Sequence, residues 1–234
     1  MTGGLTMTVR ETTIPEQRNF SGTIFPRVFM PDSKDIGMDE LKAWIAQNKA
    51  AVKQTLLESG AILLRGFGVK TPEDFADLID AGGFEPMPYL GGAAPRNAVV
   101  GERVLTSNES PPSEPIPFHH EMAQVPQPPA YVFFYCELPS NAGGETPIVL
   151  SHQVYRRLVT KAPEFAQKLE ELGVKYVRVM PEEDDPTSAI GRSWKSTFLT
   201  HDRREAEEKM KALGTTWEWL ADGSVRTVSA VVPA

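Results

Sequence analysis

Residues 116–150 read "IPFHHEMAQVPQPPAYVFFYCELPSNAGGETPIVL" and hold two of the chain's four histidines side by side, with a glutamate directly after them. In an extended segment successive side chains alternate, so His119 and Glu121 project together while His120 projects away. An imidazole and a carboxylate on one side can share a metal ion. Ligands of this hardness suit iron, manganese or zinc, and two histidines with one carboxylate and open positions mark non-haem Fe(II) oxygenases. Histidines more often serve as hydrogen-bonded structural groups, so the spacing alone is weak evidence for a metal. A zinc hydrolase built on His119, His120 and Glu121 fails because adjacent side chains diverge. No His-Glu-x-x-His motif supports it either.

The run "YVFFYCEL", residues 131–138, reads as a hydrophobic strand, and the Gly-Gly-Glu-Thr that follows reads as a tight turn. Cys136 lies inside that run and is expected as a buried structural thiol. As the sole cysteine it excludes an internal disulfide framework and a cysteine-rich zinc site.

The 234 residues suffice for one sizeable core. With 24 Lys+Arg against 31 Asp+Glu, the net charge of −7 argues against a general nucleic-acid binder. The first residues lack the apolar segment of a signal peptide, and no stretch reaches the ~18 apolar residues of a membrane helix. These features predict a soluble protein of a reducing compartment, most simply the cytoplasm, without a membrane partner.

Outward from the quoted stretch, Asp39 is expected to cap a helix striped by Leu41, Trp44, Ile45, Val52 and Leu56 that stops at Gly60. "AILLR" follows as a buried strand. Thr71-Pro72 opens a second helix with Gly82-Gly83 as its stop. "NAVVGERVLT" is strand-like. Helices are expected from Ser151, from Pro163 to Gly173 and from about Asp202 to Leu213, with "VKYVRVM" as a strand. Asp222-Gly223 between two β-rich runs signals a hairpin. A β core decorated by helices is the predicted architecture, with no linker to split it.

"PFHHEMAQ" and "FFYCELPSNAGGETPIVLSH" closely resemble the taurine dioxygenase/clavaminate synthase family of Fe(II)- and 2-oxoglutarate-dependent oxygenases, nearest to the plant clavaminate synthase-like proteins. "LLRGFGVKTPEDF", "PYLGGAAPR", "TSNESPP", "GRSWKSTFLTHD" and "TTWEWLADGS" extend the likeness over nearly the whole chain. The resemblance implies a mainly β fold with peripheral helices, a double-stranded β-helix or jelly roll. It implies His119 and Glu121 as metal ligands, Thr146 as a hydrogen-bond donor to 2-oxoglutarate, and Fe(II) and 2-oxoglutarate as cofactor and cosubstrate. The implied reaction oxidises or hydroxylates a small molecule with O2 while 2-oxoglutarate is decarboxylated to succinate.

In the resembled family a distal histidine and an arginine that grips 2-oxoglutarate lie on a late strand. "SVRTVSAVVPA" closes the sequence with no match to either. The resemblance therefore implies one domain over residues 1–234 that lacks the family's C-terminal strands, and it leaves a second reading open: a catalytically inactive, truncated member acting as a binding partner. His152, beside the helix-starting Ser151, and His201, at a helix entrance, are expected in supporting roles rather than as the third ligand. Ser107, Asn108 and Glu109 are candidates to line the substrate cleft, or an ordinary polar turn. Arg192 and Lys195 are candidates for an anionic substrate group, or a basic pair balancing "PEEDDP". Substrate and oligomeric state stay open.

Overall fold

The computed structural model describes residues 7–33, 36–107, 109, 111 and 113–234. The chain divides into two compact units, Met1–Pro86 with Tyr135–Pro139, and Met87–Phe134 with Ser140–Ala234.

In the first unit, strands β1 (Val9–Thr12) and β4 (Arg27–Pro31) pair antiparallel, and β4 pairs parallel with β5 (Ile62–Leu64). A small hairpin, β2 (Arg18–Phe20) and β3 (Thr23–Phe25), lies between β1 and β4 in sequence. Parallel neighbours need a long crossover, here helix α1 (Met38–Ser59). Gly37 precedes α1, and its N–H donates to Glu40 Oε2 at 3.3 Å, so Asp39 sits in the first turn instead of capping it. The expected stop holds: Gly60 takes φ 80, the left-handed conformation glycine adopts without strain. Helix α2 (Pro72–Ala81) starts as its sequence predicts, with Thr71 Oγ1 accepting from the Asp74 N–H at 3.1 Å. Leu41, Ile45, Phe67 and Leu78 form the core of this unit.

The second unit opens with the hairpin of β6 (Ala98–Val100) and β7 (Val104–Leu105). Helices α3 (Ser151–Lys161) and α4 (Pro163–Leu172) follow after a long irregular passage. An antiparallel sheet of order β8-β10-β9 is then built from β8 (Val177–Met180), β9 (Thr216–Trp219) and β10 (Val225–Val228). Two helices, α5 (Trp194–Phe198) and α6 (Arg203–Ala212), intervene between β8 and β9. Asp202 caps α6 through the Glu205 N–H at 2.9 Å. The β9–β10 turn is the expected Asp222-Gly223, where Gly223 has φ 85 and Asp222 Oδ1 accepts from the Ser224 N–H at 3.0 Å. Met180, Trp194, Phe198, Ala206, Met210 and Val225 make its core. Trp194 and Trp219 meet edge to face at 5.2 Å between ring centroids, a geometry that contributes about 0.5–1.5 kcal/mol beyond area burial.

The strands of the described residues form four small sheets, and helices hold more of the described chain than strands. Two expectations about residues 131–138 need correction. Residues 131–138 are not a strand, because no neighbouring segment among the described residues supplies a ladder. Cys136 is consequently exposed, not buried. No helix of the described residues is long and apolar enough to cross a membrane.

Candidate functional site

The backbone carrying His119 is irregular and enters a turn at Glu121. Met122 takes φ 53, and its carbonyl accepts from the Val125 N–H at 3.1 Å. Burial of Met122 and Val125 anchors that turn. The turn swings the Glu121 carboxylate back over His119: His119 Nε2 lies 3.6 Å from Glu121 Oε2. His120 leaves in another direction, its Nε2 2.6 Å from Ser151 Oγ at the start of α3.

His119 Nδ1 is 2.8 Å from the carbonyl oxygen of Pro117. A carbonyl only accepts, so Nδ1 carries the proton, and in the neutral ring Nε2 keeps its lone pair. A lone pair facing a carboxylate oxygen at 3.6 Å is unfavourable unless a proton or a cation lies between them. Metal-bound histidines are commonly oriented this way, one ring nitrogen on a backbone carbonyl and the other on the ion. The imidazole is about half exposed, at 55%, while Glu121 is more sheltered at 21%, so a solute can reach the pair from the histidine side.

Glu121 has a second neighbour that sequence reasoning missed. Arg96 Nη2 lies 3.2 Å from both carboxylate oxygens. Its Nη1 donates to the Thr106 carbonyl at 3.2 Å and to the Ser107 carbonyl. The guanidinium also stacks over Tyr89, 4.9 Å from the ring centroid. The only local signal for Arg96 is its position at the end of the Gly-rich "PYLGGAAPR", which reads as a turn and carries no hint of a carboxylate partner.

The other candidates are scattered. Thr146 is exposed in an irregular stretch. Ser107 offers its carbonyl to Arg96, and Glu109 is exposed, its N–H donating to the Pro95 carbonyl at 3.3 Å; Asn108 lies outside the described residues. Arg192 donates to the carbonyls of Tyr89 at 3.1 Å and Gly92 at 3.3 Å, and its guanidinium lies 5.0 Å from the Tyr89 ring centroid. Lys195 pairs with Glu182 at 3.2 Å and Glu183 at 2.5 Å, inside the acidic loop it was expected to balance. His152 sits in the first turn of α3 with its Nε2 3.1 Å from Gln153 Nε2, and His201 is exposed before α6.

As a test for a metal, the donor set at His119 supplies one imidazole nitrogen and one carboxylate. Among the described residues no third His, Cys, Asp or Glu joins them in a group able to hold an ion. The pair therefore fits part of a coordination shell.

The sequence profile of the family described as "Taurine catabolism dioxygenase TauD, TfdA family" matches residues 24–215. A clavaminate synthase-like protein of Arabidopsis thaliana is 52% identical over 229 residues, which cover 96% of this chain and 69% of that protein. The dapdiamide synthesis protein DdaC of Enterobacter agglomerans is 30% identical over 177 residues, covering 75% of this chain and 50% of its own length.

Proposed function

Since the chain belongs to the TauD/TfdA dioxygenase family, we propose that it carries the Fe(II)-binding half-site of a 2-oxoglutarate-dependent oxygenase acting on a small molecule. The observation that carries this reading is the convergence of His119 Nε2 and Glu121 Oε2 at 3.6 Å, with Nδ1 committed to the Pro117 carbonyl. His119 and Glu121 would be the protein ligands, and Thr146 would donate to the 2-oxoglutarate carboxylate. Fe(II) with 2-oxoglutarate supplies the O2 chemistry when bound.

The chain's own residues prepare for this. The Pro117 carbonyl fixes the imidazole orientation and leaves Nε2 as the nitrogen that would bind a cation. Arg96 orients the Glu121 carboxylate, and a metal ion would share that carboxylate with it. The Arg96 and Arg192 guanidinium groups both lie against the Tyr89 ring, 4.9 and 5.0 Å from its centroid.

A second reading is a family member without turnover. Arg96 already neutralises Glu121, and no third ligand joins the pair among the described residues. Anaerobic titration of Fe(II) with 2-oxoglutarate separates the two readings. The oxygenase reading expects a weak visible charge-transfer band that His119→Ala abolishes, with succinate formed on admitting O2. A folded protein with neither band nor succinate leaves the inactive reading standing.

A further inference from the structure

Strand β8 has an inverted pattern. Its two valines, Val177 and Val179, face outward at 54% and 58% exposure, whereas Arg178 and Met180 turn inward. Arg178 sits opposite Thr227 of β10 in the ladder, so both side chains share one face of the sheet. An arginine placed inward where valines were at hand needs a reason, because a buried guanidinium without a counter-charge is costly.

Arg178 has no such counter-charge among the described residues. Nη1 donates to the Gly91 carbonyl at 3.2 Å, and Nη2 is buried without a hydrogen-bond partner. Thr197 Oγ1, buried in α5, is also without a partner. Both line a single pocket of about 40 Å³, together with Gln124, Thr227 and Ser229, and no acidic side chain lines it. Arg192 lies close enough to repel Arg178; burial first, and Arg192 second, push the Arg178 guanidinium down to about 10. Buried polar atoms left unpaired call for an ion or a water as explanation. Two unsatisfied donors, a surplus positive charge and no acid are a recess shaped for an anion.

We propose that this pocket is a carboxylate-binding subsite, with Arg178 Nη2 and Thr197 Oγ1 donating to the head group of a small organic acid whose remainder lies toward the pocket mouth. The recess is small enough to suit a carboxylate head group. A planar carboxylate matches two donors from different elements, and guanidinium–carboxylate bonds are among the stronger hydrogen bonds. His119, Glu121 and Thr146 do not line this pocket. The inference therefore stands or falls apart from the iron reading.

The test uses the full chain without added Fe(II) or 2-oxoglutarate, and formate as the probe. Thermal unfolding is followed against sodium formate and against sodium chloride at equal concentrations, for the wild type, Arg178→Gln and Thr197→Val. At formate ~100 times its Kd the wild-type Tm should rise by roughly 5–10 °C above the chloride control. Thr197→Val, which keeps the side-chain shape, should fold and need several-fold more formate for the same rise; Arg178→Gln should lose the formate-specific rise. Equal responses in wild type and Thr197→Val, or no wild-type response beyond chloride, would overturn the subsite and leave a bridging water as the occupant. A chloride rise matching that of formate would overturn the carboxylate assignment.

Discussion

Arg96 grips Glu121 with a single nitrogen, Nη2 lying 3.2 Å from both carboxylate oxygens, while its other terminal nitrogen holds the Thr106 and Ser107 carbonyls. One side chain thus ties the His119 turn to the end of the β6–β7 hairpin. Removing it leaves Glu121 partly sheltered without a counter-charge and frees two carbonyls. Arg96→Met, which keeps most of the stem over Tyr89, is expected to cost about 1.5–3 kcal/mol, a fall in Tm of roughly 3–12 °C for a chain of this size. The same variant should bind Fe(II) more tightly, since the ion would no longer compete with Arg96 for the carboxylate. Calorimetric unfolding and an anaerobic Fe(II) titration check the two halves; weaker iron binding in a folded variant would show that Arg96 orients Glu121 more than it competes.

The two neighbouring histidines should separate in their effects. His119→Ala and Glu121→Ala each remove one of the two converging donors and are expected to abolish Fe(II) retention. His120→Ala removes only the 2.6 Å contact with Ser151 and should cost about 1 kcal/mol of stability with iron binding kept. Iron content after anaerobic loading and desalting reads this directly. Equal loss from His119→Ala and His120→Ala would count against the geometry of the pair.

Gly91 gathers three hydrogen bonds. Its N–H donates to the Thr197 carbonyl at 3.1 Å, and its own carbonyl accepts from Gln124 at 2.9 Å and Arg178 at 3.2 Å. It takes φ 83, and an added Cβ would lie 3.1 Å from Val125 Cγ1. Gly91→Ala therefore meets left-handed strain of roughly 1–2 kcal/mol, with a crowded contact on top. A Tm lower by at least about 2–4 °C is expected; an unchanged Tm would mean the turn relaxes.

Asp184 gives a pH test. Burial pushes its carboxyl up, but the Ser193 N–H at 2.7 Å and the hydroxyls of Ser193 and Ser196, with Arg192 nearby, outweigh burial and hold it below its ordinary 3.8. A lowered folded-state value means that the stabilisation is present above the unfolded value near 3.8 and is lost as pH falls through the folded value. Because Asp184 is exposed, its contribution is discounted to ~1 kcal/mol. Asp184→Asn should lower the urea midpoint at neutral pH, and the gap from wild type should close below pH ~4. A gap that widens on acidification would reverse the assigned sign.

What the sequence disclosed was mostly local. The Thr71-Pro72 start of α2, the start of α6 near Asp202 and the Asp222-Gly223 hairpin all rest on bonds within a few residues, and each forms as read. His119 and Glu121 were legible as a pair for a related reason, although a turn at Glu121, not strand alternation, brings them together. The apolar run at 131–138 misled because a strand needs a neighbour, which composition does not reveal; Tyr135 instead stacks on Phe75 at 5.4 Å. The Arg96–Glu121 bond, spanning 25 positions, leaves no periodic trace. Nor does the inward turn of Arg178, since "VKYVRVM" offers valines on either side of it.

Those valines support a last expectation. β8 is an edge strand of its sheet among the described residues, and Val177 and Val179 stand out from it at 54% and 58% exposure. An edge with unpaired backbone groups and exposed β-branched side chains is a template for pairing with another strand, and proteins commonly blunt such edges with lysine. The 234-residue chain made alone should therefore self-associate as its concentration rises. Val179→Lys puts a charge on the exposed face and leaves Arg178 and Met180 inward, so it should suppress association without lowering Tm. Sedimentation velocity over a concentration series measures this. Unchanged association in Val179→Lys would move the sticky surface elsewhere, and the exposed Phe165 and Leu172 of α4 would be the next residues to replace.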